Sequence, residues 1–149
     1  MYVALVEIDL ETYAKISADI AEGDVPYDRV LLRHRVDDAA WNEATLHWNR
    51  TMGESAAVDP ALAIRFSELF AAAQDAKKPL APLDVLGWAD LVSDVEAIGL
   101  ARALAKRQLS NADYFRLVRH WAKALGRDAE LNRAYLDRRD AGSPARELK

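Results

Sequence analysis

The chain of 149 residues contains no cysteine. This absence excludes disulfide bonds, thiolate metal ligands and a cysteine nucleophile, and it is typical of proteins in a reducing compartment. The six glycines are scattered, so no glycine-rich loop that could cradle a phosphate group is present. No apolar run approaches the roughly 20 residues that span a bilayer, and the first residues lack the basic segment that opens a signal peptide. These absences favour a soluble, cytoplasmic protein without a membrane partner.

The residue patterns of common catalytic sites are also missing. No serine, histidine and aspartate stand in the order of a hydrolase triad. Asp37 and Asp38 could act as paired carboxylates, but they precede a helical segment, where carboxylates ordinarily cap the first turn. Glu43 and His47 have the four-residue spacing of two metal ligands on one helix face, yet no further ligand is near them in the sequence. We therefore expect no enzymatic activity, no cofactor and no bound metal ion.

The formal net charge is −4, but the charges are distributed unevenly. Residues 1–60 contain five Lys and Arg against twelve Asp and Glu, whereas residues 101–149 contain twelve against six. An acidic first part and a basic last part can attract each other within one molecule or between two copies, and they can also bind unlike partners. The sequence predicts a basic protein partner for the first part, an acidic protein partner for the last part, or a homodimer.

One pattern occurs twice in the chain. VDDAAWNEATLHW at residues 36–48 returns 73 positions later as LSNADYFRLVRHW at residues 109–121, each with an aromatic residue in sixth place and His-Trp at the end. The flanking segments also correspond, in the same order and with short gaps. We interpret residues 9–76 and 84–140 as an internal repeat.

Capping residues, prolines and glycines at the ends of the apolar segments predict four helices in each repeat. Asp9, Pro26 and Asp59 stand at expected helix starts of the first repeat, and either Asp37 or Asp38 is expected to cap the third helix. Gly53 is expected to end that helix. Hydrophobic residues make up 51% of the chain and charged residues 30%, which is a globular composition of single-domain length. We expect an all-α fold of about eight helices in two pseudo-repeated four-helix units, arranged as a compact bundle or a short solenoid in one domain, residues 1–149.

Large aromatic residues recur on the predicted inner faces of the helices and are expected to anchor the core. They are Trp41 and Trp48 in the first repeat and Tyr114 and Trp121 in the second. The side chains of residues 2–8 alternate in character as in a β-strand, but the sequence predicts no second strand for pairing. We therefore expect an extended arm or an early helical turn there. Residues 141–149 are expected to form a flexible tail.

Residues 110–127 also support a different interpretation. The stretch LARALAKRQLSNADYFRLVRHW resembles a helix-turn-helix, whose second helix enters the major groove of DNA. The predicted second helix carries five basic or titratable side chains: Arg116, Arg119, His120, Lys123 and Arg127. The negative net charge, and the acidic edge of the corresponding stretch in the first repeat, count against nucleic acid. A DNA-binding regulator that uses residues 110–127 is therefore the alternative prediction.

The stretches YAKISADIAEGD, VLLRHRVDDAAW, LHWNRTM and DPALAIRF resemble small all-helical tandem-repeat proteins of bacterial secretion and toxin loci. The resemblance covers most of residues 9–140, and the matching positions are packing positions. It implies a helical fold and a role beside a secretion or toxin system, and it transfers no catalytic or binding residue to this chain.

The leading hypothesis is a non-enzymatic protein–protein interaction module, such as an adaptor, a chaperone or an immunity-type partner. Phe115 follows the predicted core residue Tyr114, so its ring points about 100° away around the helix, where it either contacts a second helix or is an exposed binding residue. The predicted contact residues are Phe115, Arg116, Arg119, His120, Lys123 and Arg127 in the basic part and Asp37, Asp38 and Glu43 in the acidic part.

Overall fold

The computed structural model of the chain describes residues 7–142. These residues form eight helices and contain no strand, which confirms the predicted all-α fold class. The chain divides into two compact units, Met1–Lys78 and Pro79–Lys149, which we name unit 1 and unit 2. The predictions of an arm at residues 2–8 and of a flexible tail at residues 141–149 fall almost entirely outside the described residues.

Each unit contains four helices in the same order. Unit 1 has α1 (Leu10–Glu22), α2 (Tyr27–Arg33), α3 (Asp38–Ala56) and α4 (Ala61–Lys77), and unit 2 has α5 (Val85–Ile98), α6 (Leu100–Lys106), α7 (Asn111–Arg127) and α8 (Ala129–Ala141). In both units the first helix packs most extensively against the fourth and also contacts the second. The duplication of the sequence, and the single domain, stay predictions.

The helix starts are encoded locally by side-chain caps. Asp9 Oδ1 accepts a hydrogen bond from the amide of Thr12 at 2.7 Å, and the corresponding Asp84 accepts one from the amide of Gly87 at 2.8 Å. Ser110 forms a capping box with Asp113, in which each side chain accepts a hydrogen bond from the other residue's backbone amide at 3.0 Å. These bonds satisfy amide groups that the first helical turn leaves without an intrahelical acceptor.

The turns that join α2 to α3 and α6 to α7 have the same unusual backbone. Arg35 and Gln108 adopt left-handed conformations, with φ of 58° and 55°, although neither is glycine. In each turn the next residue donates its backbone amide to a carbonyl oxygen five residues earlier at 3.0 Å, from Val36 to Leu31 in one case. The side chains of Arg35 and Gln108 give no sequence signal for this conformation, so the turn geometry could not be predicted.

The prediction that Gly53 ends the third helix is wrong. Helix α3 continues through Gly53 to Ala56, and Gly126 likewise lies inside α7. Glu and Ala at the following positions have favourable helix propensities, and no strong stop signal occurs before Asp59 and Pro60. The left-handed backbone that favours glycine occurs instead at Gly23, which ends α1, and at Gly99, which separates α5 from α6.

Aromatic residues from different helices meet in the core of each unit. In unit 1 the ring of Tyr13 stacks on Trp41, with centroids 5.1 Å apart, and lies 5.5 Å from Phe66. In unit 2 the rings of Trp88 and Tyr114 lie 5.9 Å apart. Of the four predicted anchors, Trp41 and Trp121 are buried, and Trp48 and Tyr114 are partly buried against the same clusters.

Candidate functional site

Helix α7 positions most of the residues that the sequence proposed for partner binding. The capping box fixes its first turn, and Ala112, Leu117 and Trp121 bury one side of the helix in unit 2. Of the six predicted contact residues on α7, four are exposed, one is half-buried and one is buried. The exposed residues are Phe115, His120, Lys123 and Arg127, and we name this set the α7 surface.

Arg116 does not contribute to an exposed surface, contrary to the prediction. Only 2% of the residue is exposed, and its guanidinium Nη1 lies 3.3 Å from Oδ1 of Asp113, the capping-box residue one turn earlier. Arg119 is half-buried. The three-residue spacing from Asp113 is the sequence signal that could have assigned Arg116 to an ion pair within its own helix.

His120, Lys123 and Arg127 lie on one side of α7, because their spacing of three and four residues follows the helical period. Within residues 7–142, neither Lys123 nor Arg127 forms an ion pair, whereas Asp90 and Asp94 are engaged by other cations of unit 2. The His120 ring stands edge-on to Trp121, with centroids 4.8 Å apart. The second half of α7 therefore presents positive charge that no described carboxylate neutralises at ion-pair distance.

Phe115 lies at the beginning of the α7 surface and is 50% exposed. Its ring contacts that of Tyr114, with centroids 5.9 Å apart, and Tyr114 itself packs against the core cluster. Ala122 and Gly126 fall within about 20° of Phe115 around the helix and are also exposed. On this side of α7, the large ring of Phe115 is thus followed by two residues with little or no side chain.

The predicted acidic contact residues of unit 1 surround the start of α3. Asp37, Asp38 and Glu43 are all exposed. Asp37 caps α3 by accepting a hydrogen bond from the amide of Ala40 at 2.7 Å, which is the structural role that the sequence favoured. Burial, and then the neighbouring carboxylate of Asp38, raise the pKa of Tyr27. Of the three predicted acidic residues, only Asp37 caps α3; Asp38 and Glu43 lie within the helix.

Unit 1 contains a polar cluster that the sequence reasoning missed. The carboxylate of Asp19, on α1, has two partners. Its Oδ2 contacts Nε2 of His34, and its Oδ1 contacts Nζ of Lys77. We name these three residues the Asp19 cluster. One turn further along α1, the buried carboxylate of Glu22 lies 3.5 Å from Nζ of Lys78. The available signal was the position of Asp19 on the buried side of α1, three residues after the core residue Ile16.

The surroundings of His34 disfavour its charged form. Burial lowers the pKa of His34, and the positive charges of Arg33 and Lys15 act in the same direction. Lys77 already supplies a positive charge to the Asp19 carboxylate. A neutral imidazole that donates its Nε2 proton to Asp19 therefore satisfies the contact without adding a further charge.

Unit 2 has an arginine at the equivalent place. Asp94 stands where Asp19 stands in unit 1, and its Oδ2 lies 2.8 Å from Nη1 of Arg107 and 3.4 Å from Nζ of Lys106. The hydrogen bond from Arg107 lowers the pKa of Asp94. The two units thus share a contact between a carboxylate of the first helix and a basic side chain that follows the second helix, a histidine in unit 1 and an arginine in unit 2.

Within residues 7–142, no three histidine, aspartate or glutamate side chains converge in a way that could hold a metal ion. In the same part of the chain, no helix combines the length and the apolar character that a membrane crossing requires.

The chain matches no protein-family model, no curated protein and no solved structure. The resemblance to helical proteins of bacterial secretion and toxin loci therefore stays a prediction.

Proposed function

We propose that the protein is a non-enzymatic helical module that binds another protein through the α7 surface, as an adaptor, chaperone or immunity-type partner does. The observation that carries the proposal is the exposed ring of Phe115 on the same helix as Lys123 and Arg127, two exposed cations without an ion pair among residues 7–142. Aromatic residues and arginine are among the residues in which protein interfaces concentrate their binding energy.

The chemistry of the α7 surface favours an acidic partner. Each exposed cation adds long-range attraction for negative charge, which mainly raises the association rate and selects against basic proteins. Phe115 then needs an apolar pocket or a flat apolar contact, because burial of an aromatic ring supplies most of the affinity at such sites. The exposed acidic residues Asp38 and Glu43 of unit 1 suit a basic partner by the same argument.

DNA remains the alternative partner, and the arrangement of charge on α7 supports it less well. Recognition helices of helix-turn-helix proteins contact base edges with residues near their N-terminus. The first two turns of α7 expose Asn111 and Phe115, while Arg116 is buried and Asp113 is held in the capping box. The exposed cations of α7 instead occupy its last two turns, where they also stabilise the negative end of the helix dipole.

The test compares the immobilised full chain with the variant that carries both Lys123→Glu and Arg127→Glu. A bacterial lysate is passed over both at physiological salt, and the retained proteins are identified and quantified. We expect the double variant to retain the specific acidic proteins at least about tenfold less, the loss that corresponds to about 1.4 kcal/mol. Arg50→Glu, at the corresponding position of α3, is the matched control and should retain them normally.

Equal retention by the unchanged chain and the double variant would overturn the proposal. A random DNA duplex is tested in parallel at moderate salt. Retention of the duplex by the unchanged chain, with loss in the double variant, would support the DNA-binding alternative instead.

A further inference from the structure

Helix α8 is attached to unit 2 through contacts that remain accessible to water. It is the one helix among residues 7–142 that buries no residue, and it packs far more extensively against α5 than against α7. Leu131 and Tyr135 lie partly buried against the core cluster of unit 2. Arg138 donates two hydrogen bonds to Asp90 of α5, at 2.9 and 3.1 Å, and the two side chains are 48% and 41% exposed. Exposed ion pairs contribute little to stability, so α8 can leave α5 at a lower cost than a buried helix could.

Only Asp128 separates α7 from α8. Its amide donates to the carbonyl oxygen of Ala124 at 3.1 Å, which is the bond that it would make inside a continuous helix. Its φ of −126° and ψ of 105° are extended, so the helical backbone is interrupted at this one residue. Oδ1 of Asp128 caps α8 by accepting the amides of Glu130 and Leu131 at 3.0 and 3.1 Å. A rotation about the backbone of Asp128 alone would therefore join α7 and α8 into one helix.

The corresponding connection in unit 1 cannot straighten in this way. Helices α3 and α4 are separated by residues 57–60, and the last of these is Pro60. Proline has no amide hydrogen, and in a continuous helix its ring clashes with the carbonyl oxygen four residues earlier. Residues 126–131, with the sequence GRDAEL, contain no proline, and their Ala, Glu and Leu favour a helix. Only the connection in unit 2 is therefore compatible with a continuous helix.

We propose that α8 exchanges between two copies of this chain. In the exchanged dimer α7 and α8 form one continuous helix, and α8 packs against α5 of the other copy. The contacts themselves define the occupant of the vacated surface of α5. The α8 of a second copy carries the same Leu131, Tyr135 and Arg138, and it meets the same Asp90 as in its own chain.

The exchange preserves the bonds that hold the helices. Backbone hydrogen bonds from residues 129–131 to residues 125–127 replace the capping bonds of Asp128. Helix α8 has few contacts with α7 to lose when the two become collinear. Short connections between elements favour this kind of exchange, because a straightened connection cannot return the helix to its own chain. The exchange is independent of the proposed binding function of the α7 surface.

The test measures the molar mass of the full chain by light scattering over a series of concentrations. The unchanged chain should form a dimer whose fraction rises with concentration. Asp128→Ala removes the cap and should increase that fraction, because alanine favours a continuous helix. Ala129→Pro should abolish the dimer and keep the fold, since proline suits the first residue of a helix and the extended backbone of Asp128 before it.

Two outcomes of this measurement would overturn the proposal. One is a chain that stays monomeric at every concentration even as the Asp128→Ala variant. The other is an Ala129→Pro variant that forms as much dimer as the unchanged chain, because such a dimer needs no continuous helix.

A mixture of two charge variants distinguishes exchange from a dimer in which each α8 stays in place, and it does not depend on how Ala129→Pro folds. Asp90→Arg and Arg138→Asp each place like charges between α5 and α8. In an exchanged dimer that contains one copy of each variant, both contacts again join opposite charges. The association constant of this heterodimer should exceed that of either homodimer by about tenfold, the gain from two exposed ion pairs. Without exchange each chain keeps its own mismatched pair, so the absence of this preference would contradict the proposal.

Asp94→Arg and Arg107→Asp form the matched control pair. Their contact, at 2.8 Å, joins α5 to the residue that follows α6, and both elements stay within one chain in the exchanged dimer. An equimolar mixture of these two variants should show no preference for the heterodimer. An equal preference in both mixtures would mean that charge alone pairs the chains, and the exchange would be wrong.

Discussion

The indole Nε1 of Trp48 donates a hydrogen bond to the backbone carbonyl oxygen of Ile8 across 3.0 Å. This bond ties α3 to the residue that precedes the Asp9 cap of α1, 40 positions earlier in the chain. Trp121 occupies the equivalent position in α7, but its Nε1 is buried and has no acceptor among residues 7–142. Before α5, the amide of Leu83 donates to the carbonyl oxygen of Ala81 at 2.8 Å. Two equivalent indoles therefore have different energetic roles.

A tryptophan isostere with sulfur in place of the ring N–H, introduced at one position at a time, measures this difference. The isostere keeps the ring size, so only the donor is lost. At position 48 the free energy of unfolding should fall by about 1 kcal/mol, because the Ile8 carbonyl loses its partner. At position 121 the change should be close to zero. Chemical denaturation provides both values, and equal losses at the two positions would contradict the assignment.

Phe115→Ala should leave the fold intact. Half of the residue is exposed, so we expect a loss of stability below about 1 kcal/mol together with weaker partner binding. Phe66→Ala is the matched control, because the Phe66 ring packs against Tyr13 in unit 1. That change should cost about 3 kcal/mol. Thermal melting checks both variants, and a large destabilisation by Phe115→Ala would show that this ring is a core residue.

Replacement by alanine should have opposite effects on stability at Gly53 and at Gly23. Gly53 lies inside α3 and has open space where a Cβ would be, so Gly53→Ala should stabilise the protein by about 0.5–1 kcal/mol. Gly23 has a φ of 74°, a backbone that disfavours alanine, so Gly23→Ala should destabilise it by about 1 kcal/mol. Denaturant midpoints are sufficient for this comparison. Two changes of the same sign would be inconsistent with the backbone described for one of these glycines.

Asp19→Asn should destabilise the protein more than Asp94→Asn. The Asp19 side chain is 10% exposed and serves two partners, and removal of one charge from a buried ion cluster costs about 3 kcal/mol. The Asp94 side chain is 30% exposed, and its contacts with Arg107 and Lys106 are worth about 1 kcal/mol. Equilibrium unfolding near pH 7 measures both, and similar losses would mean that the Asp19 cluster is as well solvated as its counterpart.

The helical fold could be read from the sequence because its determinants are local. Asp9, Asp84 and Ser110 cap helices within three residues of themselves, and the apolar period of each segment identifies the buried face that carries Trp41 or Trp121. The incorrect prediction that Gly53 ends α3 also has a local cause. Glycine marks a helix end when its φ is positive, and at this position the residues that follow continue the helix.

The amino-acid sequence by itself thus determined the helices, their starts and the aromatic character of the core, since each depends on contacts a few residues apart or on the helical period. The tertiary structure alone decided that Arg116 is buried, that Trp48 reaches Ile8, and that His34 and Lys77 share the carboxylate of Asp19. These last contacts join residues 15, 40 and 58 positions apart. No periodicity or spacing encodes such pairs, because they arise only when separate helices pack and exclude water from the groups between them.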